Sequence, residues 1–275
     1  MLLLNTACLD NRLPALKDEW RSTATPPPLV VADDLLYPEK RQEIFESFPC
    51  ELWPEWDEIG DSLQSKKLSC ERIQVFPQSL SALIHELNSS PTLRFLEEVT
   101  GIEGLIPDPH MWGGGLHLMR PGGYLWPHTD FLQGKSPNLM RVINLILYLH
   151  SEWSAEMGGY FQVWDGDSVL RSILPEPGRC VIFKTDAHSV HGVSKIKGGL
   201  PRKAVALFYY IVTQKQSIAL DHTTGWRLSL PPKDSKVGAL RRMTADALMK
   251  ASFGLKRVAI SLNTKAEEIA NYRRR

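Results

Sequence analysis

The chain has little cysteine, and its cysteines show no arrangement typical of a disulfide framework or a zinc site. The four residues Cys8, Cys50, Cys70 and Cys180 are spread over 275 positions without paired spacing and without a CxxC motif. Disulfide-stapled secreted domains and small zinc modules depend on such pairs. Their absence favours a chain that folds around a hydrophobic core in a reducing compartment.

Long apolar runs are also missing. No segment approaches the ~20 apolar residues that cross a bilayer as a helix, and the opening Met-Leu-Leu-Leu lacks the length and the basic residues of a secretory signal. The sequence also contains no internal repeat, no low-complexity tract and no nucleic-acid-binding motif. We therefore expect a cytoplasmic protein, and 43% hydrophobic residues over this length are enough for one large core.

Residues 1–104 are expected to form a lead-in followed by helices that brace the core. Residues 1–28 end in three consecutive prolines, which favours an extended conformation, and LVVADD then predicts a short strand. Three later segments have apolar residues at helical spacing. The predicted helices span 36–48, 79–87 and 92–99.

The pattern changes at Gly113 to short apolar runs separated by Gly, Pro and Asp, which is typical of an antiparallel double-sheet barrel. We predict a mainly β fold with flanking helices and a double-stranded β-helix (jelly-roll, cupin-like) core over residues 105–214. Its two sheets would face each other at roughly 10 Å. The strand candidates are 142–149, 160–164, 179–183, 191–196 and 203–212.

Within this region, PGGYLWPHTD places His128 and Asp130 two residues apart. On a strand both side chains would point to the same face. Two histidines and one carboxylate form the facial triad of non-haem Fe(II) oxygenases, which leaves coordination positions open for a cosubstrate and oxygen. His191, 61 residues after Asp130, is the preferred third ligand, and His188 is the alternative. A surface turn capped by the carboxylate is the structural alternative for HxD.

Arg202 begins the apolar run RKAVALFYYIV, eleven residues after His191. A guanidinium in such a run needs an anionic partner unless it reaches solvent, and its planar fork suits a carboxylate.

The residues from about 105 to 211 resemble the Fe(II)/2-oxoglutarate oxygenases, and within them the prolyl 4-hydroxylase-like branch. The motifs that carry the resemblance appear in the family's order: GGGLH, PGGYLWPHTDF, RVINLILYLHSEW, EMGGYFQVWDGD, PGRCVIFKT, HSVHGV and PRKAVALFYY. The resemblance implies Fe(II), 2-oxoglutarate and O2, with ascorbate for reactivation. It also implies a dioxygenase that hydroxylates an unactivated C–H bond and releases succinate and CO2.

The resemblance assigns roles to further residues. Arg202 would hold the far carboxylate of 2-oxoglutarate, and Tyr148 would donate to the same group unless it only packs in the core. Asn144 is a polar residue in an apolar strand, so either the cosubstrate or a structural neighbour should satisfy it. Some relatives carry a hydroxyl residue where this chain has Ala206, and His117 is a candidate for that missing hydrogen bond if it is not structural.

Trp126 and Phe131 flank the ligands and are candidates for the substrate pocket, although core packing is the alternative. The sequence leaves open free amino acids, peptidyl proline, secondary-metabolite intermediates and sugars or lipid-linked glycans as substrates. Related halogenating oxygenases carry a small residue in place of the acidic ligand, so Asp130 favours hydroxylation, with desaturation or ring closure as alternatives. A non-catalytic binding or sensor module on the same barrel is the competing class of function.

Residues 215–275 predict a basic helical extension. Residues 231–275 hold 11 Lys/Arg against 4 Asp/Glu, a net charge near +7, while the rest of the chain is near −6. Helical apolar spacing covers 237–253. The extension either packs on the core with a solvated basic face, or meets an anionic partner such as a membrane surface, a phosphorylated substrate or nucleic acid.

Overall fold

The computed structural model describes residues 2–22, 27–59, 63–132 and 138–213, together with the backbone of Gly225–Trp226. Apart from that short strand, the predicted basic extension and its helix at 237–253 lie outside the described residues. No helix in the described part of the chain combines the length and apolarity that crossing a bilayer requires.

Of the four α-helices in the described part of the chain, three lie where the sequence predicts them: α2 (Pro38–Ser47), α3 (Gln78–Leu87) and α4 (Ser90–Thr100). Proline lies in the first turn of α2, where its missing N–H costs nothing. Gly101 ends α4 in the left-handed conformation, with a φ of 70°. Apolar periodicity and these end signals together explain why the three helices are predictable.

The extended lead-in predicted for residues 1–28 is wrong over α1 (Thr6–Ser22). Leu9, Leu16 and Trp20 are buried on this helix, which packs against α4. Pro14 lies inside the helix, where it removes one backbone hydrogen bond. Burial of the three large side chains outweighs that loss, which is a tertiary effect that local propensity does not contain.

The strands form one strongly curled antiparallel sheet, which confirms the predicted double-stranded β-helix core. Its main path has the order β1-β9-β6-β11-β5-β10-β7-β8. The described strands are β1 (Leu29–Ala32), β2 (Asp57–Ile59), β3 (Gln64–Cys70), β4 (Ile106–Pro107), β5 (Gly115–Thr129), β6 (Leu139–Tyr148), β7 (Phe161–Asp165), β8 (Ser168–Ile173), β9 (Cys180–Lys184), β10 (His191–Val193), β11 (Arg202–Val212) and β12 (Gly225–Trp226).

Strand β5 joins the two layers of the barrel. Its first part pairs with β11, and its last part pairs with β10. Glycine is required between them for two reasons. Gly122 has a φ of +82°, which other residues rarely adopt, and a Cβ on Gly123 would lie only 2.9 Å from the backbone oxygen of Ser65. One long strand therefore carries residues to both the arginine side and the histidine side of the cavity.

The two metal-ligand histidines meet because β5 and β10 are hydrogen-bonded neighbours, with His191 opposite His128. The two facing sheets predicted for the barrel are therefore not what brings His191 to His128. Gly122 and Gly123 lie within the continuous strand β5. Direct strand pairing fixes the separation of the two histidines more tightly than packing of two layers would.

Candidate metal centre

Three side chains converge at one end of the cavity. Nε2 of His128 lies 3.6 Å from one carboxylate oxygen of Asp130, and Nε2 of His191 lies 3.7 Å from the other. One ligand atom from each residue lies within 4.8 Å of the other two. His188, the alternative third ligand, is exposed, and the structure brings only His191 to Asp130.

Backbone carbonyls orient both imidazole rings. Nδ1 of His128 lies 2.9 Å from the carbonyl oxygen of Trp126, and Nδ1 of His191 lies 2.9 Å from that of Ser189. A carbonyl only accepts, so each Nδ1 carries the proton and each Nε2 faces the centre. This is how the outer shell of a metal site fixes the tautomer of its histidine ligands.

The carboxylate of Asp130 is held in its charged form. Burial alone would raise its pKa, but His191, His128 and the nearby Arg141 keep that pKa well below its usual range. Asn144 Nδ2 donates to Asp130 at 3.1 Å, so the structure gives this polar strand residue a partner in the metal centre itself. Burial and the neighbouring His128 in turn lower the pKa of His191 to about 4. A buried carboxylate with two imidazoles whose Nε2 atoms face it is a good ligand set for a divalent cation.

Arg202 enters the same cavity at the start of β11. It is 6% exposed, and its Nη2 donates to the hydroxyl of Tyr148 at 3.0 Å. Its Nε has no hydrogen-bond partner, and among the described residues no carboxylate pairs with it. Burial raises the pKa of Tyr148, so the phenol keeps its proton. A buried, unpaired guanidinium beside a phenol fits the carboxylate of a bound ligand.

Two further orphaned atoms face this cavity. Nε2 of His117 and Oδ1 of Asn144 are buried without partners, and both residues line the cavity. Burial lowers the pKa of His117 well below its usual value, so the ring is neutral. Unsatisfied buried polar groups are rare in folded proteins, and three of those among the described residues, on Arg202, His117 and Asn144, belong to residues that line this one cavity. The cavity therefore fits a polar, anionic cosubstrate next to the metal.

A family model described as the 2OG-Fe(II) oxygenase superfamily matches residues 114–210. These residues include His128, Asp130, His191 and Arg202. They form a 2OG-Fe(II) oxygenase domain. Its cofactors are accordingly Fe(II), 2-oxoglutarate and O2. No curated protein sequence matches the chain.

Solved structures share the fold of the oxygenase domain. A prolyl hydroxylase from Trichoplax adhaerens, in complex with a peptide of the hypoxia inducible factor oxygen degradation domain, aligns with a TM-score of 0.53 and 14% identity over 76% of this chain and 93% of its own. A Pseudomonas putida prolyl-4-hydroxylase aligns with a TM-score of 0.51 and 16% identity over 72% of this chain and 100% of its own. The non-heme alpha ketoglutarate dependent epimerase SnoN from nogalamycin biosynthesis aligns with a TM-score of 0.53 and 14% identity over 76% of this chain and 88% of its own. At these identities the likeness concerns the fold.

Neither of the two aromatic candidates for the substrate pocket, Trp126 and Phe131, is among the residues that line the metal cavity. Trp126 lines a separate groove with Tyr124 and Trp164, because an extra residue of β5 between Leu125 and His128 turns it away from the metal. Phe131 packs against Trp112, with ring centroids 4.6 Å apart, and is not among the residues lining the cavity of the oxygenase domain.

Two basic residues of the oxygenase site were not found from the sequence. The guanidinium carbon of Arg141 lies 3.4 Å from the ring centroid of Phe208 and 4.0 Å from that of Phe131, and this contact supports the segment just after Asp130. Lys67, on β3, lines the metal cavity. Its only sequence signal is alternation with Ser69 in QSKKLSC, a pattern too short to separate an inward lysine from a surface one.

Proposed function

We propose that the chain is an Fe(II)- and 2-oxoglutarate-dependent hydroxylase of an unactivated C–H bond. The observation that carries this proposal is the shared cavity of the His128, Asp130 and His191 cluster and the guanidinium of Arg202, which has no carboxylate partner among the described residues. One group fits a divalent metal and the other fits a carboxylate. A single molecule with a chelating keto acid at one end and a carboxylate at the other satisfies both.

In this proposal His128, Asp130 and His191 hold Fe(II), and Arg202 with Tyr148 binds the far carboxylate of 2-oxoglutarate. When bound, iron and 2-oxoglutarate supply the oxidation: the keto acid and O2 become succinate and CO2, and one oxygen atom goes to the substrate. His117 donates or accepts the hydrogen bond that the residue at Ala206 cannot make. The chain itself supplies position, charge and tautomer control, and no protein group needs to act as a general base.

The apolar residues of the cavity have a supporting role. Met119, Ile146, Phe161 and Val193 line it next to the polar groups. They exclude water, and in the resulting low-dielectric space each charged contact is stronger than in solvent. The site is therefore suited to protecting a reactive centre.

The substrate is proposed to be a peptide or a small molecule. The structural neighbours support this range, because the Trichoplax prolyl hydroxylase is in complex with a peptide fragment and SnoN is an epimerase from nogalamycin biosynthesis. A non-catalytic binding module on the same barrel explains the site less well. Such a module gains nothing from a facial triad, whose three remaining positions serve a cosubstrate and oxygen.

The test is 2-oxoglutarate turnover by the purified protein. With Fe(II), 2-oxoglutarate and air we expect slow succinate formation, and a candidate substrate should accelerate it and gain the mass of one oxygen atom. The His191→Ala variant is the matched control and should form no succinate above background. Failure of the intact protein to bind 2-oxoglutarate or to form succinate with any candidate would contradict the proposal.

A further inference from the structure

Lys67 lines the oxygenase cavity and is a second basic residue there. It lies on β3 and Arg202 lies on β11, the two strands that flank β5. Both residues pair with Met119, Lys67 from β3 and Arg202 from β11. Directly paired residues of neighbouring antiparallel strands point to the same face. Two strand spacings separate their Cα atoms by roughly 10 Å, so both long side chains can contact ligands in the same cavity.

A local distortion turns Lys67 inward. The pairing of β3 with β5 shifts between Ser65 and Lys67, and Lys66 has a φ of 57°, in the left-handed region that non-glycine residues avoid. Lys66 is exposed, and its Nζ donates to the carbonyl oxygen of Pro121 at 2.9 Å. The strained residue thus stays at the surface while its neighbour lines the cavity. Strain of this kind is commonly kept at functional positions.

The ammonium of Lys67 has no partner of its own. Among the described residues this ammonium forms no hydrogen bond and no salt bridge, although Lys67 is half-buried. Burial lowers the pKa of Lys67 from its ordinary value, and the charges that act on it are those of Asp130 and Glu71, which oppose the shift, and of Arg202, which adds to it. Glu71 already accepts from the backbone N–H of Gly113 at 2.7 Å.

The known ligands of the site do not neutralise Lys67. Fe(II) and Arg202 together carry three positive charges, and Asp130 with doubly charged 2-oxoglutarate carries three negative ones. Both carboxylates of 2-oxoglutarate are then engaged, one at the metal and one at Arg202. Among the charged side chains that line the cavity, one positive charge remains, that of Lys67, and a partly desolvated charge without a partner is unfavourable.

We propose that Lys67 binds a monoanionic group of the substrate, which makes the preferred substrates of this oxygenase carboxylic acids. A carboxylate matches the single remaining charge, whereas a phosphate monoester carries a second one. An ammonium is a compact point charge and binds such a group without the fork geometry that arginine imposes. The inference rests on the proposed function, because it takes 2-oxoglutarate to be the ligand of Arg202.

The test uses the full chain loaded with Fe(II) and 2-oxoglutarate. A panel of N-acetyl-L-amino acids is compared with the corresponding C-terminal amides, which differ from the acids in one charge, and inorganic phosphate is a further arm. Thermal unfolding without oxygen reports binding, and succinate formation in air reports turnover. We expect at least one acid to be preferred over its amide by about 10-fold or more, as a charge-assisted hydrogen bond provides.

The variants assign that preference to Lys67. Lys67→Met and Lys67→Gln should bring acid and amide to parity, while Lys67→Arg should keep the preference. Lys66→Met is the matched control, since it removes the neighbouring lysine and should keep the preference of the wild type. Two removal variants are used so that poor folding of one leaves the comparison intact.

Three results would overturn the inference: equal binding of acids and amides by the wild type, a preference that survives in Lys67→Met, or phosphate bound in place of the acids. A rise of about 10-fold or more in the Kd of 2-oxoglutarate in Lys67→Met would also overturn it, because Lys67 would then serve the cosubstrate. Loss of 2-oxoglutarate binding in the wild type is a different result, since it contradicts the proposed function itself.

Discussion

His191 and His188 lie three residues apart, yet only His191 turns its Nε2 toward Asp130. Replacing His191 by Ala should lower bound iron and 2-oxoglutarate-dependent succinate formation by at least about 100-fold, since even outer-shell changes cost 10- to 100-fold in metal affinity. The fold should survive, because the barrel has its own core. Metal analysis and a succinate assay measure both effects. His188→Ala is the control and should behave as wild type, and the reverse pattern would move the ligand assignment to His188.

Arg202 is the group expected to determine 2-oxoglutarate affinity. Arg202→Ala should raise the Kd of 2-oxoglutarate by at least ~10-fold, because a carboxylate would be left unpaired in a buried pocket. Anaerobic titration of the Fe(II)-loaded protein measures it. Arg171→Ala removes a surface arginine that pairs with Glu19 at 2.9 Å, and it should leave the Kd unchanged. A wild-type Kd in Arg202→Ala would remove Arg202 from the site.

His150 should make stability depend on pH. It is buried, with Nε2 bonded to the carbonyl of Pro175 and Nδ1 accepting from the N–H of Lys203, and burial lowers its pKa from 6.5 to about 4. Between these values the unfolded chain binds a proton that the folded chain does not. The contribution of His150 is therefore complete above pH 6.5 and is lost as the pH falls toward 4.

Chemical denaturation at several pH values tests this expectation. Between pH 6.5 and pH 4 the free energy of unfolding of His150→Gln should fall less than that of the wild type, by on the order of 2 to 3 kcal/mol. His110→Gln, at the surface, should retain the wild-type slope. Identical slopes in His150→Gln and the wild type would contradict the buried neutral ring.

The role of a single residue can be predicted from the sequence when it depends little on distant parts of the chain. The ligand set and Arg202 could be read from the sequence because residue type, order and spacing restrict them together. Asn144 could only be marked as needing a partner, since its bond to Asp130 depends on where the fold places the residue that follows β5 relative to β6. The position of Trp126 outside the metal cavity could not be read from the sequence, because one extra residue in β5 reverses which face a side chain takes.

Helix α1 is the element whose stability should depend most on tertiary packing. Leu16 is 1% exposed on a helix that contains a proline, so Leu16→Ala should reduce the free energy of unfolding by about 2 to 4 kcal/mol. Asp18→Ala, on the exposed side of the same helix, should change it by less than about 0.5 kcal/mol. Denaturant unfolding measures both, and equal effects would mean that α1 is not packed as described.

The elements that the sequence predicted are those with strong periodicity and clear end signals, such as α4 with Gly101 and the long apolar strand β11. Strands β2 and β3 were not predicted, because QSKKLSC is polar along most of its length. It becomes a strand by pairing with β5 on one side and β2 on the other. Backbone pairing of this kind leaves little trace in composition. It is also the pairing that brings Lys67 to the cavity.

For the whole molecule, one strand links the parts of the site. Strand β5 contributes His117 and Met119 beside Arg202, and then His128 just before Asp130. The separation of Arg202 from the metal-ligand residues is therefore set by β5, which pairs with the strands of both Arg202 and His191 and changes layers at Gly122 and Gly123. The sequence predicted the barrel, but not that the arginine side and the metal side share this strand.

The outcome of the reaction is a property of the whole folded chain, and it depends on whether Asp130 occupies its position as a metal ligand. Asp130 accepts a hydrogen bond from Asn144 at 3.1 Å and lies between the Nε2 atoms of both histidines, so a halide would have to displace a charged and preorganised group. We expect a product that gains one oxygen atom, with the same mass whether or not excess chloride or bromide is present. Mass spectrometry of the product from any substrate found in the screen measures this. A halogenated main product from the unmodified protein would mean that Asp130 does not bind the iron.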